Sequence, residues 1–353
     1  MPEAPDLTGQ MMGHGVYGRH SLAQHSAGGF GLPGLERAAR SAAAAVHGAE
    51  PVVIADLGAA GGRNELQPMT VAIETLGDAG VIAPITVVHT DIPTNDFSAL
   101  FETVEHDPDT YLRLADVYTL AAGRSFYGRI FPPESLTRAW SAIAVHWISR
   151  IPVPIHGHVY SPFATGEVRD AFREQSAADW RVFLESRSAE LRPGAEMVVG
   201  ANQDDARSGA EALMNALDAG LRAEVASGGL TQDEYDLMSI PTWNRTLAEF
   251  TAPFDADGVL GLTLLESELD FAPDAYLAAY REDHDARKFG AAVSSFLRAF
   301  TEPSLFGGLA RAAGATSTIA DRVYARVAEA AAADPEAMET LWHVAVLRIA
   351  KPA

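Results

Sequence analysis

The chain has 353 residues, 48% of them hydrophobic and 21% charged, enough for a large core as one big domain or a core with an insertion. A formal charge of −21 opposes nucleic acid or an anionic membrane as partner, because phosphate would be repelled, yet leaves room for a small anion in a local pocket. The absence of cysteine excludes disulfides and thiolate metal sites, and Met1-Pro-Glu-Ala-Pro-Asp6 lacks the basic and apolar regions of a signal peptide. No apolar run is long enough to span a bilayer, so a soluble, cytoplasmic protein is expected.

Residues 1–46 open with glycine-punctuated polar sequence, Gly13-His14-Gly15-Val16-Tyr17-Gly18 and His20-Ser21-Leu22-Ala23-Gln24, followed by an Ala-rich helix from Leu35 to Ala45. The segment suits either a cover over a ligand site or a solvated arm. Pro51-Val-Val-Ile-Ala55 then has the β-branched apolar character of a strand buried on both faces. It runs into Asp56 and the turn Gly58-Ala-Ala-Gly-Gly62, and a helix follows from Gln67. A dinucleotide fingerprint would be G-x-G-x-x-G with its acid about 20 residues later. Here the acid precedes the glycines, which suits a cationic amine better than a pyrophosphate. A second strand, Ile85 to His89, ends in Thr90-Asp91-Ile92, where an acid can accept both hydroxyls of a ribose. The same pattern also fits a βαβ unit whose acids merely cap helices.

Pro93 to Asp96 form a turn before a helix from Ser98 to Val104, and Ala122 to Pro133 are dense in small and aromatic residues near further strand ends. Phe126 and Tyr127 there fit an adenine-binding wall or a plain core equally. Ser135 to Arg150 contain His146-Trp147 in a largely apolar setting, where a histidine ordinarily satisfies itself within the core. His156 and His158 have no third ligand at a suitable spacing and read as a turn. Glu167 to Leu191 form a long amphipathic helix, Met197 to Gly200 a strand, and Asp204 to Asp236 a helical stretch interrupted at Gly228-Gly229. Residues 205–300 thus read as a mainly helical cap on an α/β core at 47–204. Residues 301–353 read as C-terminal helices, Thr318 to Ala332 among them, and a final core strand from Thr340 to Ile349.

An acid before a glycine loop, with a second acid and an aliphatic residue at the next strand end, is the pattern of S-adenosylmethionine (SAM) methyltransferases. Taken together, several blocks resemble one family of them, the SABATH enzymes that methylate small carboxylic acids. Tyr17-x-x-His20-Ser21-x-x-Gln24 is similar to S-Y-x-x-N-S-x-x-Q, and Asp56-Leu-Gly-Ala-Ala-Gly-Gly-Arg-Asn64 to D-L-G-C-S-S-G-P-N. Thr90-Asp91-Ile-Pro-Thr-Asn95-Asp96-Phe97 resembles N-D-L-P-x-N-D-F, and Ser125-Phe126-Tyr-Gly-Arg-Ile-Phe-Pro132 resembles S-F-Y-G-R-L-F-P. Val145-His146-Trp147-Ile-Ser149 and Arg298-Ala-Phe-Thr-Glu302-Pro303 complete a likeness that spans nearly the whole chain.

The resemblance implies a Rossmann-like α/β sheet flanked by helices, with an α-helical cap, binding SAM. It implies Tyr17, Ser21, Asp56, Gly58 and Asn64 around the methionine end, with Asp56 near its ammonium. Asp91 would take the ribose, Ile92 and Phe126 the adenine faces, and Ser125 the adenine edge. Gln24 and Trp147 would hold the substrate carboxylate, with His146 beside them as a positioning donor, and the enzyme would be a homodimer. Departures concern the acceptor: Ile143 replaces a frequent tyrosine, and Met214 or Asn215 an aromatic of salicylate pockets. Met238-Ser239-Ile-Pro241 replaces F-N-I-P where some members bind magnesium, with Asp236 as counterpart, which weakens the expectation of a metal. The expected reaction is esterification of a small carboxylic acid. Nitrogen methylation of a heterocycle, as in caffeine-type members, is the rival within the family, and a non-catalytic SAM-binding or SAH-binding protein the rival outside it.

Overall fold

The computed structural model describes residues 9–13, 16, 27–43, 46, 50–202, 210–254 and 259–353. Its seven strands are β1 (Val52–Leu57), β2 (Ile85–Asp91), β3 (Val117–Gly123), β4 (Leu136–Ala142), β5 (Leu191–Asn202), β6 (Thr263–Ala272) and β7 (Trp342–Ala350). They lie in one sheet in the order β3-β2-β1-β4-β5-β7-β6. The first five pair in parallel, and β7 runs antiparallel to both β5 and β6. The chain lays β2 and β3 on one side of β1 and then returns to place β4 on the other. The carboxyl ends of β1 and β4 therefore border a crevice, the point at which open α/β sheets collect ligands. Ser141 Oγ donates to Leu57 O over 2.8 Å across this junction.

Helices α1 (Leu32–Ala43), α2 (Leu66–Asp78) and α3 (Phe97–His106) cover one face. Leu35, Ala38, Met69, Ile73, Leu100 and Val104 pack there on Val52, Ile54 and Val87. On the other face α4 (Gly166–Glu190) lays Trp180, Phe183 and Leu184 against Ala55, Leu57, Met197 and Leu347. Covering both faces explains why the inner strands read as unbroken apolar runs.

A separate apolar cluster joins α5 (Glu211–Ala226), α6 (Gln232–Asp236), α8 (Ala275–Asp283), α9 (Ala286–Phe306) and α10 (Ala313–Ala333), with the short α7 (Leu247–Thr251) packed against the sheet instead. Gly290 of α9 lets α10 approach closely, since a Cβ there would stand 2.3 Å from Ala328 O. Arg298 pairs with Glu302 in its own helix and with Asp321 of α10 at 2.8 Å, so this block of the resemblance fastens one helix to the next.

The range 205–300 is not wholly a helical cap: it contains β6, which pairs with β7 along its length and closes one edge of the sheet. As an edge strand β6 is half solvated, and Glu266, Glu268 and Asp270 hide its alternation. Glu266 accepts from Arg348 at 2.6 Å and pairs with Arg37, holding the edge to the sheet and to α1. The final strand falls where expected. Among the described residues no helix is long and apolar enough to cross a membrane.

Candidate active site

Two cavities meet at the carboxyl ends of β1 and β4. The larger, about 900 Å³, is lined by the turn from Gly58 to Glu65, by Asp91 and Ile92, by Ser125, Phe126 and Tyr127, and by Trp140, Ala142, Ile143 and Ala144. The smaller, about 440 Å³, lies toward the helical cluster and is lined by His146, Tyr160, Asn202, Met214, Thr242 and Phe300 among others. Met11, Ile143 and Trp147 line both, so they form the neck between them.

The turn after β1 is shaped by what it must avoid. Gly58 adopts φ +98°, and a Cβ there would come within 2.5 Å of the Ala144 Cβ. Gly58 N and Ala59 N donate to Thr90 O at 2.9 and 3.0 Å, pinning the turn to the end of β2. Asp91 accepts from Ala60 N and from Ile92 N, each at 2.7 Å, and Asn95 donates to Ala60 O at 2.9 Å. These bonds fix the Asp91 carboxylate against the cavity while each oxygen keeps a second lone pair. Burial raises its pKa to about 6. Phe126 meets Tyr127 and Phe183 edge-on at 4.7 and 5.7 Å, which fixes its ring in the wall.

Asp56 is placed differently from expectation. It is 1% exposed and does not line the cavity; its Oδ2 lies 2.6 Å from His89 Nδ1. His89 Nε2 in turn lies 2.8 Å from Tyr111 OH, which donates to Thr119 Oγ1 at 2.9 Å. The carboxylate on the cavity wall is Glu65, whose Oε2 accepts from Trp140 Nε1 at 2.8 Å. Burial pushes both carboxyls well up, with Asp91 adding to the effect on Asp56 and Asp56 to that on Glu65. Burial also lowers His89 to about 4, so the imidazole is neutral at pH 7 and brings no countercharge. The Asp56 carboxyl also interacts with that of Glu65 through a side-chain hydrogen bond, so the two acids form one buried pair. Buried acids without a cation are costly, so this wall fits a ligand that carries positive charge. The glycine turn, Glu65 on the wall and the Asp91 acceptor together suit the aminoacyl and ribose parts of SAM. Sequence reasoning passed over Glu65 because nothing in D-L-G-x-x-G-x-x-N marks the position after the asparagine.

The neck is rigid. Tyr127 OH donates to Trp147 O at 2.5 Å and to Val145 O at 3.2 Å, and Arg245 donates to Val145 O at 2.5 Å. Trp243 N donates to His146 O and Ile148 N to Pro241 O, at 2.8 and 2.9 Å, while Ser149 is held by Asp179. Arg245 is fully buried and was not anticipated, since a lone arginine in a loop gives no pattern. Ile143 takes φ +50°, rare for a β-branched residue, and its N donates to Gly200 O at 2.7 Å. Gly9 packs on the Trp147 ring, where a Cβ would stand 3.0 Å from Cγ. The described part of the N-terminal segment thus lies over the neck.

His146 is 7% exposed, burial lowers its pKa to about 3, and its Nδ1 has no partner. It is a neutral group, unsuited to act as a base near pH 7. Among the described residues no Lys, Arg, Asp or Glu lines the smaller cavity. His158 accepts from Tyr160 N at 3.0 Å and stacks on Phe163 at 4.0 Å, in keeping with a turn. Among the described residues no cluster of three or more acidic or histidine side chains could hold a metal ion, and Asp236 accepts from Gln232 at 2.7 Å. Asn64 and Ser125 line the larger cavity. Tyr17, Ser21 and Gln24 lie outside the described residues.

Comparison with known proteins agrees with this arrangement. A probable 7-methylxanthine methyltransferase of Theobroma cacao is 28% identical over 64% of this chain and 67% of its own length. A salicylate carboxymethyltransferase of Clarkia breweri is 28% identical over 72% of this chain and 74% of its own. The structure of a loganic acid methyltransferase with SAH superposes with a TM-score of 0.78 at 18% identity, covering 97% of this chain and 99% of that one, which establishes the fold. Residues 8–351 match the SAM-dependent carboxyl methyltransferase family, and the chain belongs to it.

Proposed function

We propose that this enzyme esterifies the carboxylate of a small organic acid with the methyl group of SAM. The observation that carries the reading is the division of charge across the neck. Glu65 and Asp91 line the larger cavity, where Arg63 is paired with Asp107, whereas among the described residues only neutral groups line the smaller. A cation belongs in the first, and an anion held by neutral donors in the second. Bound SAM supplies an electrophilic methyl on a sulfonium, and its transfer forms an O–CH₃ bond as the S–CH₃ bond breaks, with no proton moved.

An acid with a pKa of about 4 is already ionised at pH 7, so no base is needed. That agrees with the neutral, depressed His146. The work of this chain is alignment, which contributes about 7–11 kcal/mol in favourable cases. Trp147 at the neck, with Gln24 in the role the family assigns it, orients one oxygen, and neutral donors leave that oxygen nucleophilic. Glu65 and Asp91, with Asn64, Ser125 and Phe126, hold the donor; Ile92 backs the adenine. Cytoplasmic location and a homodimer, expected from composition and family, belong to the same reading and are checked by fractionation and light scattering.

The test is incubation with methyl-labelled SAM and a panel of small acids and xanthines. Label that enters acids and is released by mild alkali supports the ester. Alkali-stable label on a xanthine would replace it with nitrogen methylation, and absence of any transfer despite SAH binding would leave a binding protein.

A further inference from the structure

The smaller cavity carries more polar character than a flat aromatic acid requires. Asn202 and Thr242, 6% and 5% exposed, line it together with Trp342. Asn202 Oδ1, Thr242 Oγ1 and Trp342 Nε1 are all buried and lack a hydrogen-bond partner among the described residues. Most buried polar atoms in folded proteins are paired, and each orphan costs about 1–3 kcal/mol. A concentration of them around one cavity therefore needs a reason.

Topology brings two of the three together. Asn202 ends β5 opposite Val344 of β7, and Trp342 lies two residues from Val344 on the same strand face. Diagonal neighbours of this kind are about 7–8 Å apart, within reach of one bound group. Thr242 belongs to the strand-like contact that pairs with Trp147, so it ties this polar patch to the neck. Met11, Met214, Ile240 and Phe300 give the wall its apolar part, while Asn244 and Tyr160, which also line it, are joined by a bond from Asn244 Nδ2 to Tyr160 OH at 3.2 Å.

We infer that the natural acceptor is a hydroxy acid, with a hydroxyl remote from the carboxylate that binds at Asn202, Thr242 and Trp342. The carboxylate is held at the neck by Trp147, and the hydroxyl is held at the sheet end. The atom types favour this class over others. A hydroxyl donates to the Asn202 carbonyl or the Thr242 oxygen while accepting from the Trp342 indole. A keto group could only accept and would leave Asn202 Oδ1 unsatisfied; a second carboxylate would meet no cation. The inference rests on the esterification reading and adds the class of acid.

The experiment compares acids matched in skeleton with and without the hydroxyl: phenylacetate with 4-hydroxyphenylacetate, cinnamate with 4-hydroxycinnamate, octanoate with 8-hydroxyoctanoate. The full-length enzyme and the Thr242→Val and Asn202→Leu variants are assayed. In the wild type at least one hydroxylated member should exceed its partner in kcat/KM by about tenfold or more, the direction expected of a site built to bind a hydroxyl. Thr242→Val and Asn202→Leu should cut that preference at least threefold. They should lower turnover of the hydroxylated member more than that of its deoxy partner and raise the melting temperature, because an apolar side chain removes a buried orphan. Esterification of the deoxy acids with no hydroxyl preference in any pair overturns this inference alone. Failure to esterify any acid overturns it together with the function proposed above. Equal loss on both members of each pair, with unchanged or lower melting temperature, assigns the two residues to support of the fold and also overturns it.

Discussion

The two cavities are built by different means. The donor cavity is formed largely by backbone at strand ends: a glycine turn, two amides on Asp91, and a carboxamide that clasps the turn. The acceptor cavity is formed by side chains from separated parts of the chain, Asn202 from the sheet, Met214 and Phe300 from helices, Ile240 and Thr242 from a loop. A shape set by backbone resists sequence change, whereas a wall of side chains is remade by single substitutions. One half of the reaction is thereby held constant and the other left free to vary.

The sharpest way to break this division is at the neck, where both cavities share Trp147. Trp147→Ala should lower kcat/KM by roughly 10²–10³-fold, the scale seen when an orienting donor is removed. SAH affinity, read by calorimetry, should move by less than about threefold; a parallel collapse of SAH binding would make Trp147 part of the donor cavity.

Asp91→Ala tests the donor side. It removes an acceptor of charge-assisted bonds, each contributing about 1.5–3 kcal/mol, so SAH affinity should fall roughly 10–100-fold. Turnover at saturating SAM should be affected far less.

The same residue predicts a pH profile. Asp91 must be ionised to accept the ribose hydroxyls, and its raised pKa of about 6 means that SAH affinity is full above that pH. It should be lost as pH falls through 6, by up to about tenfold per unit. His89 and His146, lowered to about 4 and about 3, stay neutral across this window and add no slope. Calorimetry between pH 5 and 8 checks the profile, and Asp91→Asn should reduce its slope, leaving the part that Glu65 and Asp56, also pushed up by burial, contribute.

Glu65→Gln is the mildest probe. Cofactor affinity should drop about three- to tenfold, in line with the loss of one modest polar interaction. The melting temperature should hold or rise, because a buried acid has gone; a fall in stability would mean that Glu65 supports the fold through Trp140 instead.

The same contrast governs what could be read from the chain alone. The donor cavity was legible because its demands are local. A strand, an acid, a glycine turn and a second acid fall within 52–91, and Asp91, Gly58, Asn64, Ser125 and Phe126 all line the cavity. Asp56 is buried and does not itself line the cavity, where Glu65 does. The acceptor cavity was largely illegible. Asn202 and Thr242 look like ordinary polar residues until the fold brings them together. β6 was hidden for a related reason: its Glu266 answers to Arg37 and Arg348, far away in the chain.

Ile143 has a consequence for any effort to harden this enzyme. Its left-handed backbone costs about 1–3 kcal/mol, so selection for heat resistance alone would favour glycine or asparagine at that position. Either would also thin the partition that a methyl group has to cross. Thermal robustness and acceptor fidelity therefore pull one codon in opposite directions, and laboratory lineages bred only for endurance should drift toward promiscuity.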